Sequence, residues 1–118
     1  MPGKLSTHVL DTMHGCPAQG MQIELWSLAD NRPELLKTVH TNSDGRSEGP
    51  LLAAGEMKAG QYELVFYVGD YFAKKSSDTP KTQFLSKVPV RFGIADANAS
   101  YHVPLLCSPW AYSTYRGS

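Results

Sequence analysis

The chain has 118 residues, of which 42% are hydrophobic and 19% charged: enough apolar content for a core, too little charge for a disordered segment. Eleven basic residues balance eleven acidic ones, which excludes the broad basic face that nucleic-acid binding needs. Nothing approaches the ~18 consecutive apolar residues of a membrane span, so one domain over residues 1–118, with no nucleic-acid or membrane partner, is expected.

Met1 to Lys4 lead straight into alternating sequence with no apolar segment of the signal-peptide kind, so a cytoplasmic protein is expected. Leu5 to Leu10 reads as a strand, with Leu5, Thr7 and Val9 on one face and Ser6, His8 and Leu10 on the other. Asp11 to Gly20, with two glycines and Pro17, reads as a loop. Met21 to Leu28 is a second strand; Asn31-Arg32-Pro33 turns the chain, and Leu35 to Thr41 is a third, less apolar strand. Asn42-Ser43-Asp44-Gly45 is a strong turn signal that presents Arg46. Gly60 to Val68 is the clearest strand, with Tyr62, Leu64, Phe66 and Val68 on one face. Gly69 to Lys75 lacks alternation and suits a short helical turn, and Ser76 to Thr82 a polar loop.

Val88 to Phe92 alternates again, but Pro89 restricts it to a sheet edge or a bulge. Ala95 to Ser100 is a loop, Tyr101 to Ser108 a strand, and Trp110 to Arg116 the last strand. Pro104 removes a ladder donor from a run that otherwise reads as central, so a bulge is expected beside it. Turn signals recurring about every ten residues indicate an all-β antiparallel sandwich.

Several residues could carry chemistry. His8 and His102 lie on strand-like runs, on faces opposite the most apolar ones. They are either an acid–base pair over one patch of sheet or two solvated strand residues. His14 and His40 read as ordinary loop and strand-end residues, and Trp26 and Trp110 as packing or interface residues. The scattered histidines, without cysteine or carboxylate at ligand spacing, give no metal site. Cys16 and Cys107, the only cysteines, are expected as free thiols. The closing Tyr115-Arg116-Gly117-Ser118 combines an aromatic ring, a guanidinium, a glycine and a hydroxyl. It reads either as a polar tail or as a segment built to approach a ligand.

Taken together, Leu5 to Asp11, Gly15 to Met21, Thr41 to Arg46, Tyr101 to Leu106 and Tyr115 to Ser118 resemble the 5-hydroxyisourate hydrolases, the transthyretin-related enzymes of urate breakdown. The resemblance covers essentially the whole chain. It implies a transthyretin-like sandwich of two four-stranded sheets with one short helix, assembled as a homotetramer (a dimer of dimers) with active sites in the channel between dimers. The activity implied is cofactor-independent hydrolysis of 5-hydroxyisourate to 2-oxo-4-hydroxy-4-carboxy-5-ureidoimidazoline. The family's catalytic positions fall on His8, Arg46, His102 and Ser118, and substrate contacts on His8, Arg46, Tyr115, Arg116 and Gly117. A carrier of the transthyretin type, binding a thyroid-hormone-like molecule without catalysis, is the alternative that the same fold allows.

Overall fold

A computed structural model describes residues 3–76 and 78–117, so Ser118 lies outside the described residues. Among the described residues, eight strands and one helix follow in order: β1 (Leu5–Asp11), β2 (Cys16–Pro17), β3 (Gln22–Ser27), β4 (Glu34–His40), β5 (Gly60–Phe66), α1 (Val68–Lys75), β6 (Val88–Ile94), β7 (Tyr101–Cys107) and β8 (Tyr112–Thr114). A single 3-10 turn, Ala29–Asn31, separates β3 from β4. The strands form two four-stranded sheets, ordered β2-β1-β7-β8 and β4-β3-β5-β6.

Strict alternation explains the sandwich. The odd-numbered residues of β1 are buried and the even-numbered ones half-buried, so one face of the strand turns inward. Leu5, Val9, Ile23, Leu25, Leu64, Phe66 and Leu105 are fully buried, and they share one cluster with Tyr62, Val88, Val90, Tyr101 and Val103. Truncating one of these, such as Leu64→Ala, removes buried methylenes and leaves a cavity, at a cost of about 2–5 kcal/mol.

Every pairing is antiparallel except the one that matters most for the site. Strands β1 and β7 run parallel, in register from Leu5–Tyr101 to Asp11–Cys107. Pro89 falls on β6, which is a sheet edge as expected. Three details depart from the sequence-based expectation. The stretch expected as a loop contains the short strand β2, which pairs Cys16 and Pro17 with Asp11 and Leu10. Strand β5 ends at Phe66 because Val68 already opens α1, and β8 spans only Tyr112–Thr114.

Pro104 makes no bulge against β1, where His8 faces it in an unbroken register. The His102 carbonyl accepts from Gly117 N (2.7 Å), whereas the Val103 carbonyl accepts from Thr7 Oγ1 (2.6 Å). Even-numbered residues of β7 therefore aim their backbone groups at β8 and odd-numbered ones at β1. The donor that Pro104 lacks is lost on the β8 side only. There the ladder stops after Leu105–Thr114 and resumes at His102–Gly117. The Thr114 hydroxyl donates to the Pro104 carbonyl (2.7 Å) and bridges part of the gap. The proline thus frees Tyr115 and Arg116 from the sheet without disturbing its centre.

Beyond the C-terminal ends of β1 and β7, α1 packs through Tyr71 and Phe72. The buried Asp11 carboxylate accepts from Tyr71 Oη (2.8 Å), from His14 Nδ1 (2.7 Å) and from the backbone N–H groups of Met13 and His14 (both 3.0 Å). Burial alone would raise the Asp11 pKa, but these bonds, led by His14 and Tyr71, hold it below the usual value. Burial, with a smaller contribution from Asp11, pushes the Cys107 thiol up to about 12. Cys16 and Cys107 are both free thiols.

Candidate active site

The outer face of the β2-β1-β7-β8 sheet carries Ser6, His8 and Leu10 from β1, beside His102 from β7. Ser6 is the register partner of His102, so His8 sits one dyad further along, opposite Pro104. Strand spacing and rise then place the Cα atoms of His8 and His102 roughly 8 Å apart. Both imidazoles are half-buried.

Arg46 reaches this face from a turn whose geometry is set by Asn42 and Gly45. Asn42 Oδ1 accepts from the N–H groups of Asp44 (2.9 Å) and Arg46 (3.1 Å), while Asn42 N donates to the Arg46 carbonyl (2.8 Å). Gly45 has φ +76°, and a Cβ there would collide with the Val9 carbonyl oxygen. Its own carbonyl accepts from Val9 N (2.8 Å), which docks the turn on β1 at the residue after His8. Only glycine satisfies both the backbone conformation and this contact.

An open groove of about 350 Å³ results, lined by Lys4, Ser6, Arg46, Ser100, Tyr101 and His102. The pKa of His102 is lowered from 6.5, first by desolvation, then by the Arg46 guanidinium and by the neighbouring His8 imidazole. Arg46 and His8 are thus each close enough to act on His102 electrostatically, and the two runs that carry the histidines are adjacent strands.

The C-terminal segment divides. Gly117 pairs with His102, and a Cβ at position 117 would come within 2.7 Å of His102 Cδ2. Arg116 goes elsewhere: its guanidinium lies 4.1 Å above the Tyr101 ring, and Nη2 donates to the Ser100 carbonyl (3.2 Å). Tyr115 is 60% exposed and borders a separate groove with Val90, Phe92 and Val103. Within one protomer, then, Gly117 joins the imidazoles, whereas Tyr115 and Arg116 do not. Ser6, Lys4 and Ser100 are neighbours that the sequence reading did not single out. Ser6 was visible as a same-face residue, but its link to His102 depends on a parallel register that periodicity does not encode. Among the described residues no three His, Cys, Asp or Glu side chains converge as metal ligands would.

Residues 5–117 match the HIUase/Transthyretin family. The chain is a member of that family. Among its relatives is 5-hydroxyisourate hydrolase 2 of Rhizobium meliloti (strain 1021), 56% identical over 98% of this chain and 97% of that protein. Among solved structures, an (S)-allantoin synthase superposes with a TM-score of 0.93 at 50% identity, covering 99% of this chain. This chain spans 44% of that longer one. Sea bream transthyretin in complex with thyroxine superposes with a TM-score of 0.85 at 25% identity, covering 97% of this chain and 94% of that one. The sandwich itself is common to members of the family with different names. No helix among the described residues is long and apolar enough to cross a membrane.

Proposed function

We propose that this protein hydrolyses 5-hydroxyisourate to 2-oxo-4-hydroxy-4-carboxy-5-ureidoimidazoline in urate catabolism, and that residues 1–118 act as one domain. The observation that carries the reading is the convergence of His8, His102 and Arg46 on one open face of the sheet. A binding surface has no need of two imidazoles and a guanidinium within electrostatic reach. A hydrolase needs a proton acceptor, a proton donor and a fixed positive charge. Identity of 56% to a named hydrolase supports the same assignment. The 25% identity to a thyroxine-bound transthyretin leaves the carrier as the weaker reading.

The chemistry follows from these groups. Water adds to a ring carbonyl carbon of the substrate and gives up a proton to one imidazole. Arg46 offsets the negative charge that grows on the carbonyl oxygen. The ring C–N bond then breaks, and its nitrogen takes a proton from the imidazole pair. The six-membered ring opens to a carboxylate and a ureido group. An already electrophilic carbonyl requires no cofactor in this scheme. Gly117 lets the C-terminal backbone lie against His102, and in the assembled protein Tyr115, Arg116 and Ser118 complete the substrate's surroundings.

The assembly that we propose is a homotetramer, a dimer of dimers, in which the outer sheet faces line a shared channel. The open groove of the protomer supports it, as do the zero formal charge and the exposure of Met13, Trp110 and Tyr115. Two free thiols are consistent with a cytoplasmic setting. The direct test follows the ultraviolet absorbance of freshly generated 5-hydroxyisourate with and without the protein. Catalysed decay, with the ring-opened carboxylate as product, is expected. A rate no faster than spontaneous hydrolysis overturns the assignment.

A further inference from the structure

Ser6 Oγ lies 2.9 Å from His102 Nδ1, across the parallel seam at the one position where β1 and β7 bring these two residues into register. The contact is half-buried, and His102 is the partner of the Ser6 hydroxyl among the described residues. The other side of the ring is closed by Gly117, whose Cα hydrogens occupy the space where a Cβ would come within 2.7 Å of Cδ2 and 3.3 Å of Cγ. The imidazole is therefore gripped on two sides, with Nε2 left as the nitrogen free to meet a substrate.

A hydroxyl and a ring nitrogen can bond in either direction, and the surroundings favour one. If Nδ1–H donated to Ser6, the hydroxyl hydrogen would be left to groove water, with no protein acceptor among the described residues. With the hydroxyl donating, the Ser6 hydrogen and the Nδ1 lone pair satisfy each other. The proton of the neutral ring then resides on Nε2, because the bond made by one ring nitrogen sets the state of the other.

From this we infer that Ser6 is a positioning residue: its hydroxyl donates to Nδ1 and holds His102 as the Nε2–H tautomer, facing the groove as a hydrogen-bond donor. This rests on the hydrolase reading above and deepens it, since it separates the roles of the two histidines. His102 hydrogen-bonds the carbonyl oxygen through Nε2–H, while His8 takes the proton from water and passes it to the departing ring nitrogen. The charged or titratable groups around His102 are His8 from β1, Lys4 just before it, and Arg46 from the docked turn. The Arg116 guanidinium is held over Tyr101.

The experiment combines Ser6→Ala and Ser6→Thr variants with nitrogen-15 spectroscopy of His102. In the unaltered protein His102 should show the Nε2–H tautomer at neutral pH. Ser6→Ala should mix the tautomers and lower kcat by about 10- to 100-fold, the scale of losing an orienting partner, with KM nearly unchanged. It should also move the acid limb of the rate profile upward, because a bond donated to the neutral ring disfavours its protonation. Ser6→Thr, which keeps the hydroxyl, should restore both tautomer and rate. An Nδ1–H tautomer in the unaltered protein overturns the inference, as does a Ser6→Ala variant with normal kcat and pH profile. If the protein does not hydrolyse 5-hydroxyisourate at all, the functional reading fails while the spectra still decide the Ser6 contact.

Discussion

A histidine helps a hydrolase near neutrality only in the protonation state that its neighbours allow. At His102, desolvation, Arg46 and His8 all disfavour the cation, so the ring stays neutral to lower pH than an ordinary imidazole. A rate that depends on neutral His102 therefore persists below pH 6.5 and falls only as pH drops through the lowered value. Removing the Arg46 charge should bring the titration back up: in Arg46→Gln, an NMR titration of His102 should have its midpoint at higher pH. An unmoved midpoint would mean that Arg46 does not act on the ring. The catalytic prediction is blunter. His8→Ala and His102→Ala should each reduce turnover by at least ~100-fold with the fold intact by circular dichroism. Arg46→Lys should remain strongly impaired, because lysine keeps the charge but loses the planar fork. Near-normal kcat in any of the three would remove that residue from the mechanism.

Elements bring these residues together, and they differ in how openly the sequence announces them. Period-two alternation marks the inward faces of β1, β3, β5 and β7, and Pro89 marks an edge, because burial and ladder donors act on each residue locally. The Asn42–Gly45 turn is equally legible, since Asn42 bonds its own backbone two and four residues on. Strand partners are another matter. The seam between β1 and β7 joins residues 96 apart, such as Ser6 and His102, and alternation looks the same in a parallel or an antiparallel pair. The placement of Pro104 depends on that seam, so the expected bulge was a local answer to a non-local question. The Asp11 cluster was hidden for the same reason, since Tyr71 reaches it from 60 residues away. Tyr71→Phe should cost about 1–3 kcal/mol in urea unfolding, because the buried carboxylate loses one of its donors. With its folded pKa depressed, Asp11 stabilises the fold above its unfolded value of 3.8, and this contribution is lost as pH falls through the folded value. Asp11→Asn should accordingly flatten the acid side of the stability profile. A profile as steep as the original would assign acid unfolding to other carboxylates.

At the scale of the whole molecule, the groove beside His102 is open on a single protomer, with Arg46, Lys4 and Ser100 all exposed. Water on that face competes for the substrate's carbonyl oxygen and screens the guanidinium. A second copy laid across it would exclude much of that water and strengthen each of these interactions. Closed two-fold assembly is the common way in which a protein buries such a surface. The expectation is that specific activity tracks assembly: light scattering should give a tetramer at assay concentration, and activity per protomer should fall on dilution through the dissociation range. Substrate should oppose that fall, because a ligand held between copies stabilises the assembled form by mass action. A monomer that retains full activity per protomer would mean that the outer face works while open to solvent, and that Tyr115 and Arg116 take no part in the site from a neighbouring copy.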